Sequence, residues 1–303
     1  MTTVDSRGAE ALNKRVVAVL NPASGGVDAH AEARMRDIFA AAGLAHAEVV
    51  RADPAQIDAA LGRAAAAADV LVVLGGDGTI RAAAARCAGF AGFLIPLPGG
   101  TMNMLPKALY GTRAWPEALA DTLADPRAPE VSGGMVGDHA FFVAALLGAP
   151  TLWADAREAV RGGHLVEAVQ RSVTAARRSL SEPLDYEFTA EMRGSAEAVA
   201  VVCPLISKVM NEDERMLEAA AIDPETAGEA LRLGFHALFD GWRADPTVKR
   251  AKVKTLRVTG HGNVPVIVDG ETVRLGRVVD VRFTPLAFRA LVPAPVEEPP
   301  APS

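Results

Sequence analysis

The chain has 303 residues, 50% hydrophobic and 22% charged, which suffices for one large or two ordinary domains and excludes a disordered chain. A formal net charge of −6 argues against a general nucleic-acid binder, since phosphate backbones need clustered Lys and Arg. Its two cysteines, Cys87 and Cys203, lie far apart and fit no metal-ligand spacing, so a disulfide scaffold is a poor description and a reducing cytoplasm the better one.

The opening stretch, MTTVDSRGAEALNKR, has no apolar signal core. No later stretch approaches the roughly 18 uninterrupted apolar residues of a membrane span, and the expectation is a soluble, cytoplasmic protein. From Val16 to about Ala128, short Val/Leu runs alternate with Ala-rich stretches. Arg15–Leu20 reads as a strand, Ala29–Ala42 as a helix, Ala47–Val50 as a strand, and Pro54–Ala68 as a helix with Asp53 as its N-cap. Val70–Leu74 is the next strand, Ile80–Cys87 a helix, Phe93–Pro96 a strand and Trp115–Ala124 a helix. Such alternation, with continuous apolar strands, predicts a parallel sheet covered on both faces. Ligands on such sheets bind beyond the C-terminal strand ends. Asn21, Gly75 and Pro98 all fall just after strands, so three loops should line one crevice.

Beyond residue 130 the pattern turns strand-rich. Val131–Val136, His139–Leu146, Leu184–Met192, Glu197–Cys203, Leu217–Ile222, Thr255–Thr259, Val264–Val268, Val278–Phe283 and Phe288–Val292 are predicted strands. Helical interruptions are expected at Trp153–Leu180 and Pro224–Trp242. The division is therefore a nucleotide-binding α/β domain over residues 13–130, a β-rich domain over 131–292, and a Pro-, Ala- and Glu-rich disordered tail over 293–303.

The chemistry concentrates in the loops. Gly75-Gly76-Asp77-Gly78-Thr79 joins a strand to a helix, where glycines admit phosphate close to backbone N–H groups and the helix N-terminus favours an anion. Asp77 would repel a phosphate unless a cation lay between them, which points to a metal–nucleotide site; a Gly-rich turn with a capping Asp is the plainer alternative. Asn21-Pro22-Ala23-Ser24-Gly25-Gly26 offers an amide, a hydroxyl and N–H groups for phosphate or ribose oxygens, although an ordinary Asn-Pro turn fits it as well. Pro98-Gly99-Gly100-Thr101-Met102-Asn103 offers a hydroxyl and an amide at another tight turn, with an ordinary turn again the alternative. No GxxxxGK[ST] sequence occurs, so a P-loop is excluded. Asp269-Gly270-Glu271 taken alone reads as a β-turn.

NPASGG, GGDGT and PGGTMN, in this order and at these intervals, resemble the soluble diacylglycerol kinase catalytic family, which includes bacterial lipid kinases and the sphingosine and ceramide kinases. Val268-Asp269-Gly270-Glu271 matches the family's DGE element, and Asp245-Pro246 with Val248 resembles the segment upstream of it. The resemblance spans about Val16 to Val292. It implies a first domain like those of NAD kinase and phosphofructokinase, a C-terminal β-sandwich domain, and an active site in the cleft between them. ATP and Mg²⁺ are the implied cofactors. Asn21, Pro22, Ser24 and Gly25 would touch the nucleotide, and Gly75, Gly76, Asp77, Gly78 and Thr79 would bind its phosphates. Asp77 would hold Mg²⁺, and Thr101 and Asn103 would complete the pocket. Asp269 and Glu271 would reach in from the second domain, one of them, Glu271 first, accepting the proton of a lipid hydroxyl.

The chain departs from the family pattern at several points. Met104 follows Asn103 where a polar or acidic residue is common, Ile80-Arg81-Ala82 stands where an Asn-Glu pair is common, and Arg51-Ala52-Asp53 stands where a nucleotide-contacting Thr is usual. Asn211-Glu212-Asp213-Glu214-Arg215 occupies the region of an additional metal site; Asp213 and Glu214 keep carboxylates there, with a solvated charge run as the alternative. Arg157, Arg161, His164, Arg171, Arg177 and Arg178 make residues 153–180 basic, with Leu165, Val166, Val169 and Val173 at roughly helical spacing. A basic amphipathic helix can rest on anionic headgroups, and a solvated helix packed on the sandwich is the alternative. Phe141, Phe142, Leu146, Leu147 and Trp153 could line an acyl-chain cleft, or simply pack in the core. The expected protein is an ATP-dependent lipid kinase, diacylglycerol first and ceramide or a sphingoid base second. It would contact the inner face of the membrane transiently and bind no nucleic acid. NAD kinase and a catalytically silent nucleotide- or lipid-binding regulator are the rival readings.

Overall fold

A computed structural model describes residues 6–89, 91–148, 183–207, 209–210, 214–222 and 248–294. The chain divides into two compact units, the first made of Met1–Val131 with Leu286–Ser303 and the second of Ser132–Pro285. The first unit thus takes back the C-terminal segment that the sequence reading had left to the second domain and the tail.

In the first unit, β1 (Val16–Leu20), β2 (Glu48–Arg51), β3 (Val70–Gly75) and β4 (Phe93–Pro98) form a parallel sheet of order β2-β1-β3-β4. Every residue of β1 and β3 is buried, as required of strands covered on both faces. One face packs on α2 (Ala31–Ala41) and α6 (Trp115–Ala124): Val16, Ala18, Leu20, Val70, Val72 and Leu74 share a core with Met35, Phe39, Leu119 and Leu123. The strands alternate, so the intervening residues Val17, Val19, Leu71 and Val73 belong to the other face. There α3 (Ile57–Ala67) packs on β1, and α4 (Asp77–Arg86) packs on α3 and β3.

The helix expected from Pro54 begins only at Ile57. Asp53 is not its cap: its carbonyl accepts the N–H of Gln56 at 2.8 Å and of Ile57 at 2.9 Å, forming a turn ahead of the helix. Two short helices absent from the sequence reading, α1 (Ser6–Leu12) and α5 (Met104–Tyr110), and an antiparallel pair of two-residue strands, β5 (Pro126–Arg127) and β18 (Val292–Pro293), complete the unit. The returning C-terminal segment lies beside β4, where Leu291 donates its N–H to Leu94 at 2.9 Å and Ala290 and Leu291 are fully buried. It is also tied to α5, through Tyr110, whose hydroxyl donates to the Leu291 carbonyl at 3.2 Å. Burial pushes the Tyr110 phenol well above its ordinary pKa, so it stays a donor.

The second unit is a sandwich of two six-stranded sheets. Its first sheet has the order β10 (Arg193–Ala196), β9 (Leu184–Glu187), β14 (Thr255–Thr259), β17 (Val278–Arg289), β6 (Glu130–Val136), β7 (His139–Phe141). The second has the order β13 (Lys249–Val253), β12 (Leu217–Ile222), β11 (Ala198–Val202), β8 (Ala144–Gly148), β15 (Pro265–Val268), β16 (Glu271–Arg274) and is antiparallel throughout. Val136, Tyr186, Val258 and Val281 of one sheet share a core with Leu147, Val201, Leu217 and Val266 of the other. The predicted strand His139–Leu146 is broken at Phe142-Val143, and β17 takes in the predicted Val278–Phe283 but only the first two residues of the predicted Phe288–Val292. The predicted helices over 153–180 and 224–242 lie outside the described residues.

Because the Tyr110 hydroxyl ties the C-terminal segment to the first unit, Tyr110→Phe is expected to lower stability by about 1–2 kcal/mol, read from the urea midpoint at unchanged slope.

Candidate active site

The chain leaves β1 for β2 on one side and crosses to β3 on the other, so the loops after β1 and β3 diverge at the switch point of the sheet. That is where open α/β sheets take up ligands. Three loops meet there: residues 21–26 after β1, residues 75–79 between β3 and α4, and residues 98–103 between β4 and α5. Asn21 donates its backbone N–H to Leu74 and its Nδ2 to Thr79 Oγ1, both at 2.9 Å, and its Oδ1 accepts the Ala23 N–H at 3.1 Å. Ser24 Oγ accepts the Gly76 N–H at 2.9 Å. Gly26 donates to the Gly99 carbonyl at 2.8 Å, and Gly99 to the Gly75 carbonyl at 2.9 Å.

Backbone runs against backbone at this junction. A Cβ on Gly100 would lie 2.7 Å from Gly76 Cα, and one on Gly99 would lie 2.9 Å from both the Gly75 nitrogen and Val27 Cγ2. Gly26, Gly99 and Gly100 therefore belong to the site's construction, although the sequence reading did not name them as site residues. The second Gly-Gly pair was the signal available.

The packing leaves donors free at the start of α4. Its first helical bond is Ile80 N–H to the Gly76 carbonyl at 3.0 Å, and the Gly76 N–H is already taken by Ser24. The N–H groups of Asp77, Gly78 and Thr79 thus have no acceptor within the helix, at the end where its dipole favours an anion.

Asp77 holds the third loop. Its Oδ2 accepts the N–H of Asn103 at 3.0 Å and its Oδ1 that of Met104 at 2.6 Å, the first N–H groups of α5. Asn103 adopts the left-handed conformation, φ 50° and ψ 49°, which Asn tolerates better than most residues. Its side chain closes on Gly100 in both directions, Oδ1 accepting the N–H at 2.7 Å and Nδ2 donating to the carbonyl at 2.8 Å. Met104 contributes its backbone here, so an apolar side chain at that position leaves the contact intact. Thr101 and Gly25 are exposed, and Pro22 is half-buried.

In the second unit, Asp269 and Gly270 form the two-residue turn between β15 and β16, with φ of 46° and 87°. Positive φ at both positions is the geometry that Asp-Gly favours in tight hairpins. The Asp269 carboxylate is 5% exposed and accepts three backbone N–H groups: Phe142 at 2.8 Å, Val143 at 3.0 Å and Ala144 at 2.9 Å. This explains the break between β7 and β8, because those N–H groups turn to a side chain rather than to a neighbouring strand. Glu271, the first residue of β16, is half-buried.

A Mg²⁺ ion bound with substrate phosphates needs only one or two protein carboxylates. Asp77 fits, since each oxygen accepts one N–H and keeps a further lone pair. Glu214 is otherwise engaged, its two oxygens lying 2.8 and 2.7 Å from Lys252 Nζ, and Asp213 lies outside the described residues. Among the described residues no three His, Cys, Asp or Glu side chains gather to hold a metal by themselves. Both cysteines are free and buried: burial pushes the Cys87 thiol up to about 12, and burial with the neighbouring Asp269 charge pushes Cys203 well above its usual value. Neither is a nucleophile at neutral pH. Phe141, Phe142, Leu146 and Leu147 are all buried, with Phe141 and Leu147 in the sandwich core. Trp153 and the basic stretch 153–180 lie outside the described residues.

Residues 15–136 match the family model of the diacylglycerol kinase catalytic domain. Solved structures similar to the chain include a candidate diacylglycerol kinase from Bacillus anthracis str. Sterne, 18% identical with a TM-score of 0.73 over 92% of this chain and 95% of that one. A second structure under that description is 17% identical with a TM-score of 0.71, over 91% and 96% of the two chains. A diacylglycerol kinase from the same organism is 17% identical with a TM-score of 0.69, over 92% and 97%. At this identity the likeness is one of fold. No curated protein sequence matches the chain.

Removing the Asp269 side chain strands three buried backbone donors at about 1–3 kcal/mol each. Asp269→Ala is expected to cost about 3 kcal/mol or more in chemical denaturation, and Asp269→Asn less, because it keeps one carbonyl acceptor.

Proposed function

We propose, from the match of residues 15–136 to the diacylglycerol kinase catalytic domain, that the chain is a lipid kinase that transfers the γ-phosphate of ATP to a hydroxyl of a membrane lipid. A diacylglycerol-type acceptor comes first and ceramide or a sphingoid base second. The observation that carries this reading is the set of three N–H groups, from Asp77, Gly78 and Thr79, free of helical acceptors where three loops converge. Phosphoryl transfer is mainly positioning and neutralisation of charge, and fixed backbone donors supply both without reorganising.

The residues divide the work. Asn21 and Ser24 brace the loop after β3 through Thr79 Oγ1 and the Gly76 N–H, keeping its donors fixed. Asp77 both secures the third loop and is the carboxylate placed to hold Mg²⁺, which when bound would offset charge on the β- and γ-phosphates. Asp269 is committed to three N–H groups and so is a poor acceptor for a substrate proton. Glu271, two residues on and not sealed from solvent, takes the role of general base. Among the described residues no helix is long and apolar enough to cross a membrane. The lipid would then be met at a membrane surface, on the cytoplasmic side.

Labelled phosphate transfer from Mg²⁺-ATP to diacylglycerol, ceramide, sphingosine and phosphatidylglycerol in mixed micelles, with NAD alongside, tests the reading. Labelling of one lipid is expected. Labelling of NAD alone would make the protein an NAD kinase, and ATP binding without transfer a silent regulator. Glu271→Ala is expected to slow turnover by roughly 10²–10⁴-fold with the protein still folded, and Asp77→Ala to abolish it. Full activity in either variant removes that residue from the mechanism.

A further inference from the structure

We propose that the basic edge of the second unit, strand β13 with the residue that follows it, is the surface by which this protein docks on an anionic lipid bilayer. A kinase whose acceptor is a membrane lipid must meet a bilayer, and the inference rests on that reading.

The chain as a whole carries a net charge of −6, so an anionic surface repels it unless one face is locally basic. Lys249-Arg250-Ala251-Lys252-Val253-Lys254 is such a place. All of its cations are exposed, and no carboxylate occurs in the sequence between Asp245 and Asp269. Lys252 is matched by Glu214, whereas the side chains of Lys249, Arg250 and Lys254 make no ion pair among the described residues. By contrast, Arg257 pairs with Asp280 at 2.7 Å and Arg193 with Glu187 at 3.9 Å. The edge therefore holds a local excess of positive charge on an acidic protein.

The fold presents that charge outward. β13 is an edge strand, paired with β12. Ala251 and Val253 pack on the core between the sheets, which puts Arg250 and Lys252 on the opposite face. Lys249 stands across from Ala221 and Arg250 across from Ala220, so the neighbouring strand offers neither of them a carboxylate. Lys252 is opposite Glu218, Glu218 opposite Val202, and Val202 opposite Ala144, whose carbonyl accepts the Asp269 N–H at 3.0 Å. One row of the sheet thus runs from the basic edge to the turn bearing Asp269 and Glu271, four strand spacings or roughly 19 Å away. Docking at β13 would hold that end of the sheet near the headgroups. Each Lys or Arg brought to an anionic leaflet raises partitioning about fivefold. Charge on an edge strand also deters pairing with other chains, whichever its sign, and charge reversal separates the two roles.

Co-sedimentation with vesicles in the absence of ATP tests the surface. Wild type is expected to bind vesicles of three parts phosphatidylcholine to one of phosphatidylglycerol, to ignore phosphatidylcholine alone, and to be released by high salt. The triple variant Lys249→Gln, Arg250→Gln, Lys254→Gln should bind the anionic vesicles about 100-fold more weakly, and the triple Glu variant more weakly still. Both variants should keep the wild-type melting temperature and oligomeric state. Phosphate transfer to diacylglycerol in these vesicles should fall in parallel, with transfer to a short-chain diacylglycerol dissolved as monomer unchanged. Equal binding of wild type to neutral and anionic vesicles would overturn the inference, as would undiminished binding by the Glu variant. A loss of transfer to the dissolved acceptor as large as the loss in vesicles would also sink it, since that marks a role in the fold or the site. Binding of a short DNA duplex through the same residues, without vesicle binding, would reject the bilayer in favour of a nucleic-acid partner. Vesicle binding that depends on these residues, with no transfer to any lipid, would overturn the kinase reading alone.

Discussion

Backbone N–H groups that cannot pair within their own element need an acceptor, and two carboxylates of this chain meet that need. Asp77 accepts the first N–H groups of α5, and Asp269 accepts three from the segment between β7 and β8. In each case one side chain fixes a turn that no helix or strand would hold. Asp77 makes the loop after β4 a fixed wall beside the loop after β3, and Asp269 sets where β8 begins and where β16 turns back. The reactive geometry proposed for each unit depends on these bonds, because backbone donors and a general base act only from fixed positions.

The second constraint is closeness of approach. Gly99 and Gly100 lie against Gly75 and Gly76 with no room for a Cβ, and Gly26 closes on Gly99. With side chains there, the three loops would stand apart and the donors of α4 would face a wide, wet opening. With glycine, they lie at the floor of a junction braced by Asn21 and Ser24. The polar residues of the motifs thus spend much of their hydrogen-bonding capacity on one another, leaving a small set of backbone donors unused within the helix.

Much of this was legible in the sequence, for identifiable reasons. The strands β1 and β3 carry unbroken apolar runs, and the Gly-rich segments mark where each ends, so the parallel sheet and its three loops could be read directly. Less legible were the features set by long-range contacts. The return of Leu291 to Leu94 joins residues far apart in the chain, and nothing local in Phe288–Val292 distinguishes a strand of the sandwich from an edge of the first unit. The break at Phe142-Val143 lies inside an apolar run and exists because Asp269, more than 120 residues later, supplies acceptors there. Asp53 has the right residue type and spacing for a cap, yet its carbonyl forms the preceding turn.

The same distinction explains why the phosphate side of the proposed reaction is easier to read than the acceptor side. The phosphate site proposed here is built from backbone, and the need for glycine where backbones touch leaves a pattern in the sequence. Acceptor recognition depends on side-chain volume and exposure, which leave no comparable pattern. Phe141, Phe142, Leu146 and Leu147 look equally suited to an acyl cleft or a core, and in the folded unit all four are buried.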